Sequence, residues 1–356
     1  MPACETPFPE DHPGIFLDRR GWPDEGPRMA IFVYPTGDSS EAVSAAEFDS
    51  VLTDRVVWID LLMGTPEEVA AIQKAFGIEL PTREEMREIE STSRLYYEDG
   101  ARFMTTSMLY STESETPQST EVSFVLVKRF MLTIRDVEPL SFRQTAQQFS
   151  KKVFATRDQV FIALIENIID RQADLLERLS KETEELSQRI FNRGLSRAKE
   201  SESDLRQAIF QLGRSGNLIA RERDCIVSLS RLVQYAGHED FDGSDEERTL
   251  PIYPRLKPIS RDLQSLSEFA GFLSAKVSFM LDATLGLINI EQNAIVKIFS
   301  VAAVIFLPPT LVASIYGMNF RVLPEKDWDY GYPFSLVLMV ISVLVPFLFC
   351  RRKGWL

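Results

Sequence analysis

Histidine and cysteine are scarce in this 356-residue chain: two of the first, His12 and His238, and three of the second, Cys4, Cys225 and Cys350. No metal-ligand spacing links the cysteines, so a zinc site of the usual Cys/His kind is not expected. An odd, scattered cysteine set fits a reducing compartment rather than a disulfide framework. The chain has no Walker-type Gly-Lys-Ser/Thr loop, no nucleophile–base set and no pair of catalytic carboxylates. An enzyme is therefore not expected, and no organic cofactor is implied. Positive charge is in deficit as well. With 39 Lys and Arg against 52 Asp and Glu, the net charge is −13, which argues against nucleic acid because phosphate binding needs basic patches. Residues 1–14 carry neither a basic stretch nor an apolar one. No secretory signal is read there, and the bulk of the chain is expected to stay in the cytosol.

Apolar residues make up 45% of the chain but are unevenly spread. Residues 1–28 read as poorly ordered. Strand signals dominate from 30 to about 136: short apolar runs at 30–34 and 56–61, a hairpin of 94–97 and 102–110 around Asp99-Gly100, then 122–128 and 130–135. Helical pieces at 65–76, opened by Thr-Pro-Glu-Glu, and at 82–90 interrupt them. The combination predicts a cytoplasmic α/β domain with a mixed sheet over 29–137.

A helical region follows over 138–250. Residues 160–191 and 200–235 carry apolar residues at helix spacing and suit coiled-coil packing. An acidic loop is read at 237–247. From about Pro258 a helix pattern runs unbroken to Pro308, roughly 50 residues, or about 75 Å at ~1.5 Å per residue. The stalk helix is assigned to 251–316.

Two long apolar runs close the chain. Residues 294–315 hold one charge, Lys297, and residues 333–350 hold none. Both are long enough to cross a hydrocarbon core of about 30 Å. Pro308-Pro309 in the first run and Pro346 in the second would break a soluble helix, whereas neighbouring helices in a membrane can satisfy the freed carbonyls. Arg351, Arg352 and Lys353 directly follow the second run, in a tail spanning 351–356. The loop between the runs, 317–332, offsets Arg321 and Lys326 with Glu325, Asp327 and Asp329. This asymmetry predicts both termini in the cytoplasm and the loop outside. Trp328, Tyr330, Tyr332 and Trp355 suit the two interfaces.

A stripe of small and polar residues climbs the first run. Alternating steps of four and three from Asp282 meet Gly286, Asn289, Asn293, Val296, Ser300, Ala303, Leu307, Thr310, Ser314 and Gly317. Several copies around an axis would turn such a stripe toward water and its apolar flanks toward neighbours or lipid. The same small residues also suit a close-packed helix seam, and spacing alone leaves both open. The two asparagines and Asp282 favour a wet axis. Phe299 and Leu307 could form rings that gate by dewetting. Glu325, Asp327 and Asp329 would concentrate cations at the outer mouth.

The first run ends in Tyr316-Gly317-Met318-Asn319-Phe320. The triplet Gly317-Met318-Asn319, set between one span and a short acidic loop before the last span, resembles the signature of the CorA family of Mg²⁺ channels. The stretch Phe306-Leu307-Pro308-Pro309-Thr310-Leu311-Val312-Ala313-Ser314 resembles the first span of bacterial members. Asn289-Ile290-Glu291-Gln292-Asn293 and Leu323-Pro324-Glu325 do likewise, the last with one conservative change. The strong likeness covers residues 277–356.

The resemblance implies an α+β membrane protein in the inner (plasma) membrane. It implies a homopentamer whose long helices form a funnel, with the second span packed outside in lipid. It implies Mg²⁺ as both cargo and regulator, with Asn319 forming a ring at the outer mouth. Asn293 and Thr310 match pore positions of the family, and Asp282 matches a position where internal Mg²⁺ holds the pore shut. Relatives with the same triplet move Zn²⁺, Co²⁺ or Ni²⁺, with or without proton coupling, so that alternative stays open. So does a membrane-anchored scaffold that moves no ion.

Overall fold

The computed structural model describes residues 30–36, 41–52, 55–88, 90–112, 117–149, 151–191, 202–237, 253–318 and 328–354. The elements run β1 (Ala30–Pro35), β2 (Glu41–Val43), α1 (Phe48–Val51), β3 (Val56–Leu62), α2 (Pro66–Phe76), α3 (Arg83–Met86), α4 (Ser91–Arg94), β4 (Leu95–Glu98), β5 (Ala101–Tyr110), β6 (Gln118–Leu126), β7 (Met131–Arg135), α5 (Leu140–Phe149), α6 (Arg157–Phe191), α7 (Glu202–Ala236), α8 (Tyr253–Tyr316) and α9 (Gly331–Arg352). They fall into two compact units, Met1–Glu177 with Ala220–Gly271, and Arg178–Ile219 with Phe272–Leu356.

In the first unit, seven strands form one mixed sheet in the order β2-β1-β3-β7-β6-β5-β4. Only β3 and β7 pair in parallel. Residues of β3 are buried throughout, which explains why it reads as a continuous apolar run rather than an alternation. Ile59 and Leu61 join Ile31, Val33, Ile72 and Leu132 on one face. Trp58 points to the other, where its ring lies 5.7 Å from Phe149 and stacks on Tyr34 at 4.2 Å.

Asp60 shares the Trp58 face and would be costly there alone. It accepts hydrogen bonds from Thr133 Oγ1 at 2.6 Å and Arg135 Nη2 at 2.7 Å. Trp58 Nε1 in turn donates to Thr133 Oγ1 at 2.9 Å. Burial alone would lower the Arg135 pKa, but the Asp60 charge and hydrogen bond outweigh it and raise it.

The Asp99-Gly100 hairpin forms as expected. Both residues take positive φ, 50° and 78°, between the pairs Glu98↔Ala101 and Tyr97↔Arg102. That is the two-residue turn whose twist matches the flanking strands.

Helices α2 and α3 each open on a Thr-x-x-Glu box, Thr65 with Glu68 and Thr82 with Glu85. The helix expected over 82–90 is shorter than predicted. After one turn, Arg87 N–H turns back to Glu84 O, and the chain re-enters helix only at Ser91. Strand β6 starts earlier than expected because Ser119, Thr120 and Glu121 pair with Leu109, Met108 and Ser107. Neither β2 nor α1 was expected.

Helix α7 is fixed to the sheet within this unit. Arg221 Nη1 donates to Pro117 O at 2.7 Å, and Arg102 Nη1 donates to Ala236 O at 2.7 Å, capping the helix end. Glu222 is buried on α7, and its Oε1 has no hydrogen-bond partner. Desolvation pushes its pKa up to about 8.

In the second unit, Leu205, Ala208, Leu212 and Ile219 of α7 are buried, as are Leu186 and Ile190 of α6 and Leu273, Val277, Met280 and Thr284 of α8. The three-and-four spacing is that of a coiled-coil seam. Gly216 belongs to it: a Cβ there would stand 3.2 Å from Val277 Cγ1. Lys276 Nζ bonds Glu184 Oε2 at 2.6 Å, and that hydrogen bond lowers the Glu184 pKa.

The long helix assigned to 251–316 runs from Tyr253 through both prolines to Tyr316, giving 64 residues, or about 95 Å of rise. The expectations for residues 1–28 and for the acidic loop 237–247 lie, apart from Gly237, outside the described residues.

Candidate functional site

The outer part of α8 carries two faces of different character. Buried and half-buried positions are Val301, Ala302, Ile305, Pro308, Pro309, Val312 and Tyr316. The small and polar stripe (Asn289, Asn293, Val296, Ser300, Ala303, Leu307, Thr310, Ser314) is exposed at every position, and Phe299 on its flank is 71% exposed. At about 100° per residue these faces look in roughly opposite directions. The protomer therefore leaves its polar stripe uncovered. Asp282 is exposed at the inner end of the same stripe.

Two consecutive prolines remove two backbone donors. The carbonyls of Val304 and Ile305, four residues earlier, lose their helical partners. Thr310 donates its hydroxyl hydrogen to Phe306 O at 2.7 Å. Its oxygen lone pairs are left on the exposed stripe as acceptors, the polarity that a hydrated cation requires.

Helix α8 ends where Gly317 N–H bonds Ala313 O at 2.9 Å and Met318 N–H bonds Ile315 O at 3.2 Å. A Cβ at Gly317 would stand only 3.1 Å from Ala313 O, so glycine lets the chain leave the helix tightly at this level. Met318 is exposed. Asn319, Glu325 and Asp327 lie outside the described residues. Asp329 is exposed just before α9, beside an aromatic cluster in which Trp328 lies 5.6 Å from Phe334 and 6.3 Å from Tyr330. Among the described residues, no three His, Cys, Asp or Glu converge within the protomer to hold a metal ion.

Among the described residues, helices α8 and α9 are the two long and apolar enough to cross a membrane, and little of either apolar window is covered within the protomer. In the sequence Lys297 stands as the single charge of the first run. In the structure its Nζ lies 3.0 Å from Gly354 O, beyond the end of α9.

Residues 53–352 match the family described as CorA-like Mg²⁺ transporter protein. The chain belongs to the CorA-like Mg²⁺ transporter family. It is 34% identical over 311 residues to the magnesium transport protein CorA of Wolinella succinogenes, covering 85% of this chain and 92% of that one. Against the protein of the same description from Escherichia coli it is 31% identical over 303 residues, covering 84% and 92%. The complete structure of the CorA magnesium transporter from Methanocaldococcus jannaschii superposes with a TM-score of 0.74 at 17% identity, over 92% of this chain and 99% of that one. That likeness carries the fold. It agrees with a soluble mixed-sheet domain, long helices and two C-terminal apolar helices, the fold class that the CorA resemblance implied.

Proposed function

We propose that this protein is a divalent-cation channel that admits Mg²⁺ through a pore lined by α8 in a homopentamer. The observation that carries the reading is the uncovered polar stripe from Asn289 to Ser314 on an otherwise apolar helix. Water and ions are what such a stripe can face without cost once copies surround an axis. The magnesium relatives supply the cargo.

Selection would occur at Gly317, Met318 and Asn319. Mg²⁺ sheds its waters reluctantly. Amide oxygens of five Asn319 side chains and the Gly317 carbonyl would accept hydrogen bonds from those waters and hold the ion hydrated. Asn293 and Thr310 would repeat that contact further in, and Phe299 and Leu307 would close the pore by dewetting. Glu325, Asp327 and Asp329 would gather cations outside. An inside-negative potential contributes about 4.6 kcal/mol per 100 mV for a divalent ion, twice the single-charge value, so no nucleotide is needed.

Asp282 is the proposed sensor. Among the described residues no three potential ligands gather within the protomer, so a Mg²⁺ ion at Asp282 would be shared between copies, and its loss would let like charges splay the ring. The charges Arg351, Arg352 and Lys353 support cytoplasmic termini and an inner-membrane setting. The cytoplasmic α/β domain would then comprise 29–137, the helical region 138–250, the stalk and first span 251–316, the outer loop 317–332 and the second span 333–350.

The test is Mg²⁺ uptake into liposomes that hold a Mg²⁺ dye under an inside-negative potential, comparing wild type with Asn319→Ala. One hydrogen bond to a charged partner is worth about 1.5–3 kcal/mol, so flux should fall at least about tenfold. Entry of Zn²⁺ or Co²⁺ without Mg²⁺ would move the cargo to a softer ion. No divalent flux from folded protein would favour a scaffold.

A further inference from the structure

We propose that Lys297 is a positioning residue: its ammonium clasps the carbonyl of Gly354 and fixes the inner end of the second span against the pore helix. This rests on the transport reading for its consequence but not for its geometry.

Lys297 is the single charge in residues 294–315. A charge at that depth needs a partner, and backbone carbonyls commonly serve. The partner here is built by the end of α9. Lys353 N–H bonds Phe349 O at 3.0 Å and Gly354 N–H bonds Arg351 O at 3.1 Å. Gly354 then takes φ +68°, the left-handed conformation that ends helices and that a Cβ disfavours. Its carbonyl is thereby offered to Lys297 Nζ at 3.0 Å. The negative end of the α9 dipole lies at the same place and favours a cation.

Packing marks the same spot. Of the residues in the two apolar runs, three are buried: Val301, Ser335 and Cys350. Val301 is one helical turn after Lys297, and Cys350 is one turn before Gly354. They are 6% and 1% exposed, so the two inner positions flank the clasp. Lys297 also lies on the Val301 face of α8, away from the polar stripe, so its charge is not spent in the pore. The outer ends of the two spans are tied covalently by the linker after Met318. The inner ends have no such tie, and Lys297 supplies one.

Cys350 provides the readout. In full-length protein in liposomes, with Cys4 and Cys225 replaced by alanine, the rate at which maleimide labels Cys350 reports how often the inner ends part. Lys297→Met should label about tenfold faster, as expected for losing one charged hydrogen bond. Lys297→Arg, which keeps a donor, should label like wild type. Gly354→Ala keeps every charge and breaks the clasp from the other side, so it should also label faster. It serves as the independent break if Lys297→Met folds poorly. Mg²⁺ flux per folded protein should change in Lys297→Met and return in Lys297→Arg.

Equal labelling in wild type and both breaking variants would overturn the clasp, and so would an arginine variant labelling as fast as the methionine one. Faster labelling with unaltered flux would overturn the positioning role. Absence of flux in wild type would overturn the transport reading instead, and would leave the labelling comparison standing.

Discussion

Strand β3 and the outer half of α8 are built from the same kinds of residue and meet opposite fates. Trp58 in β3 is 0% exposed, whereas Phe299 and Leu307 in α8 are 71% and 66% exposed. In the sheet the chain supplies its own cover from both sides. Along α8 it supplies cover for one face only. An exposed apolar surface of that extent marks a place that lipid or other copies must cover. Polar groups reverse in the same way. Asp60 is buried and satisfied by Thr133 and Arg135, while the polar stripe of α8 from Asn289 to Ser314 stands uncovered. One region is finished by its own sequence, and the other awaits an assembly.

The largest test of that contrast removes Arg135. Arg135→Met leaves the Asp60 carboxylate buried without its ion pair, a loss of about 3–5 kcal/mol, visible as a lower unfolding temperature of the full chain in detergent. Asp60→Leu with Arg135→Met removes both charges and should recover most of the loss. Equal destabilisation by the single and double changes would mean that water reaches Asp60.

Next come matched truncations. Leu61→Ala opens a cavity in the sheet core and should cost about 2–5 kcal/mol. Leu307→Ala, on the uncovered stripe, should stay within about 0.5 kcal/mol of wild type while raising Mg²⁺ leak through the widened ring. Similar stability losses at both sites would erase the distinction between the regions.

Glu222 tests the packed side through pH. Its folded pKa of about 8 lies above the ordinary value near ~4.3. Between those two values the folded state holds a proton that the unfolded state has released. Stability attributable to this group therefore falls as pH rises from about 4.5 to about 8, by up to ~1.4 kcal/mol per pH unit, and levels off above. Glu222→Gln should flatten that slope, narrowing the difference in unfolding temperature between pH 5 and pH 8. An unchanged slope would show that Glu222 finds a partner when ionised.

Legibility followed the same divide. The hairpin at Asp99-Gly100, the helix opened by Thr65 and the apolar run of β3 were readable because each is specified by a few adjacent residues. Strand β2 was not: its three residues, Glu41-Ala42-Val43, carry no alternation long enough to register and exist by pairing with β1. Continuation of α8 through Pro308-Pro309 was readable only from the length and apolarity of the run around the prolines, which outweigh the local rule. Proline is a strong breaker in water, and the α8 helix spans it inside an apolar run. The polar stripe was readable as a spacing, but which side of the helix the protomer covers needed the fold. Lys297 was visible as an isolated charge. Gly354 as its partner was not, because 57 residues separate them and no periodicity links them.

The smallest effect separates two copies of one local motif. Thr65 caps an 11-residue helix that buries Ile72 in the sheet core, so Thr65→Ala should cost about 1 kcal/mol of stability. Thr82 makes the same box with Glu85, but on a four-residue helix whose capping hydrogen bonds are exposed. Loss of that cap can be absorbed by local fraying that leaves the sheet intact. Thr82→Ala should therefore lower the unfolding temperature less than Thr65→Ala, while speeding hydrogen exchange at Glu85 and Met86. If the two variants cost the same, the short helix is coupled to the core as tightly as α2, and the boundary between self-covered and uncovered surface lies further out than the burial of Met86 suggests.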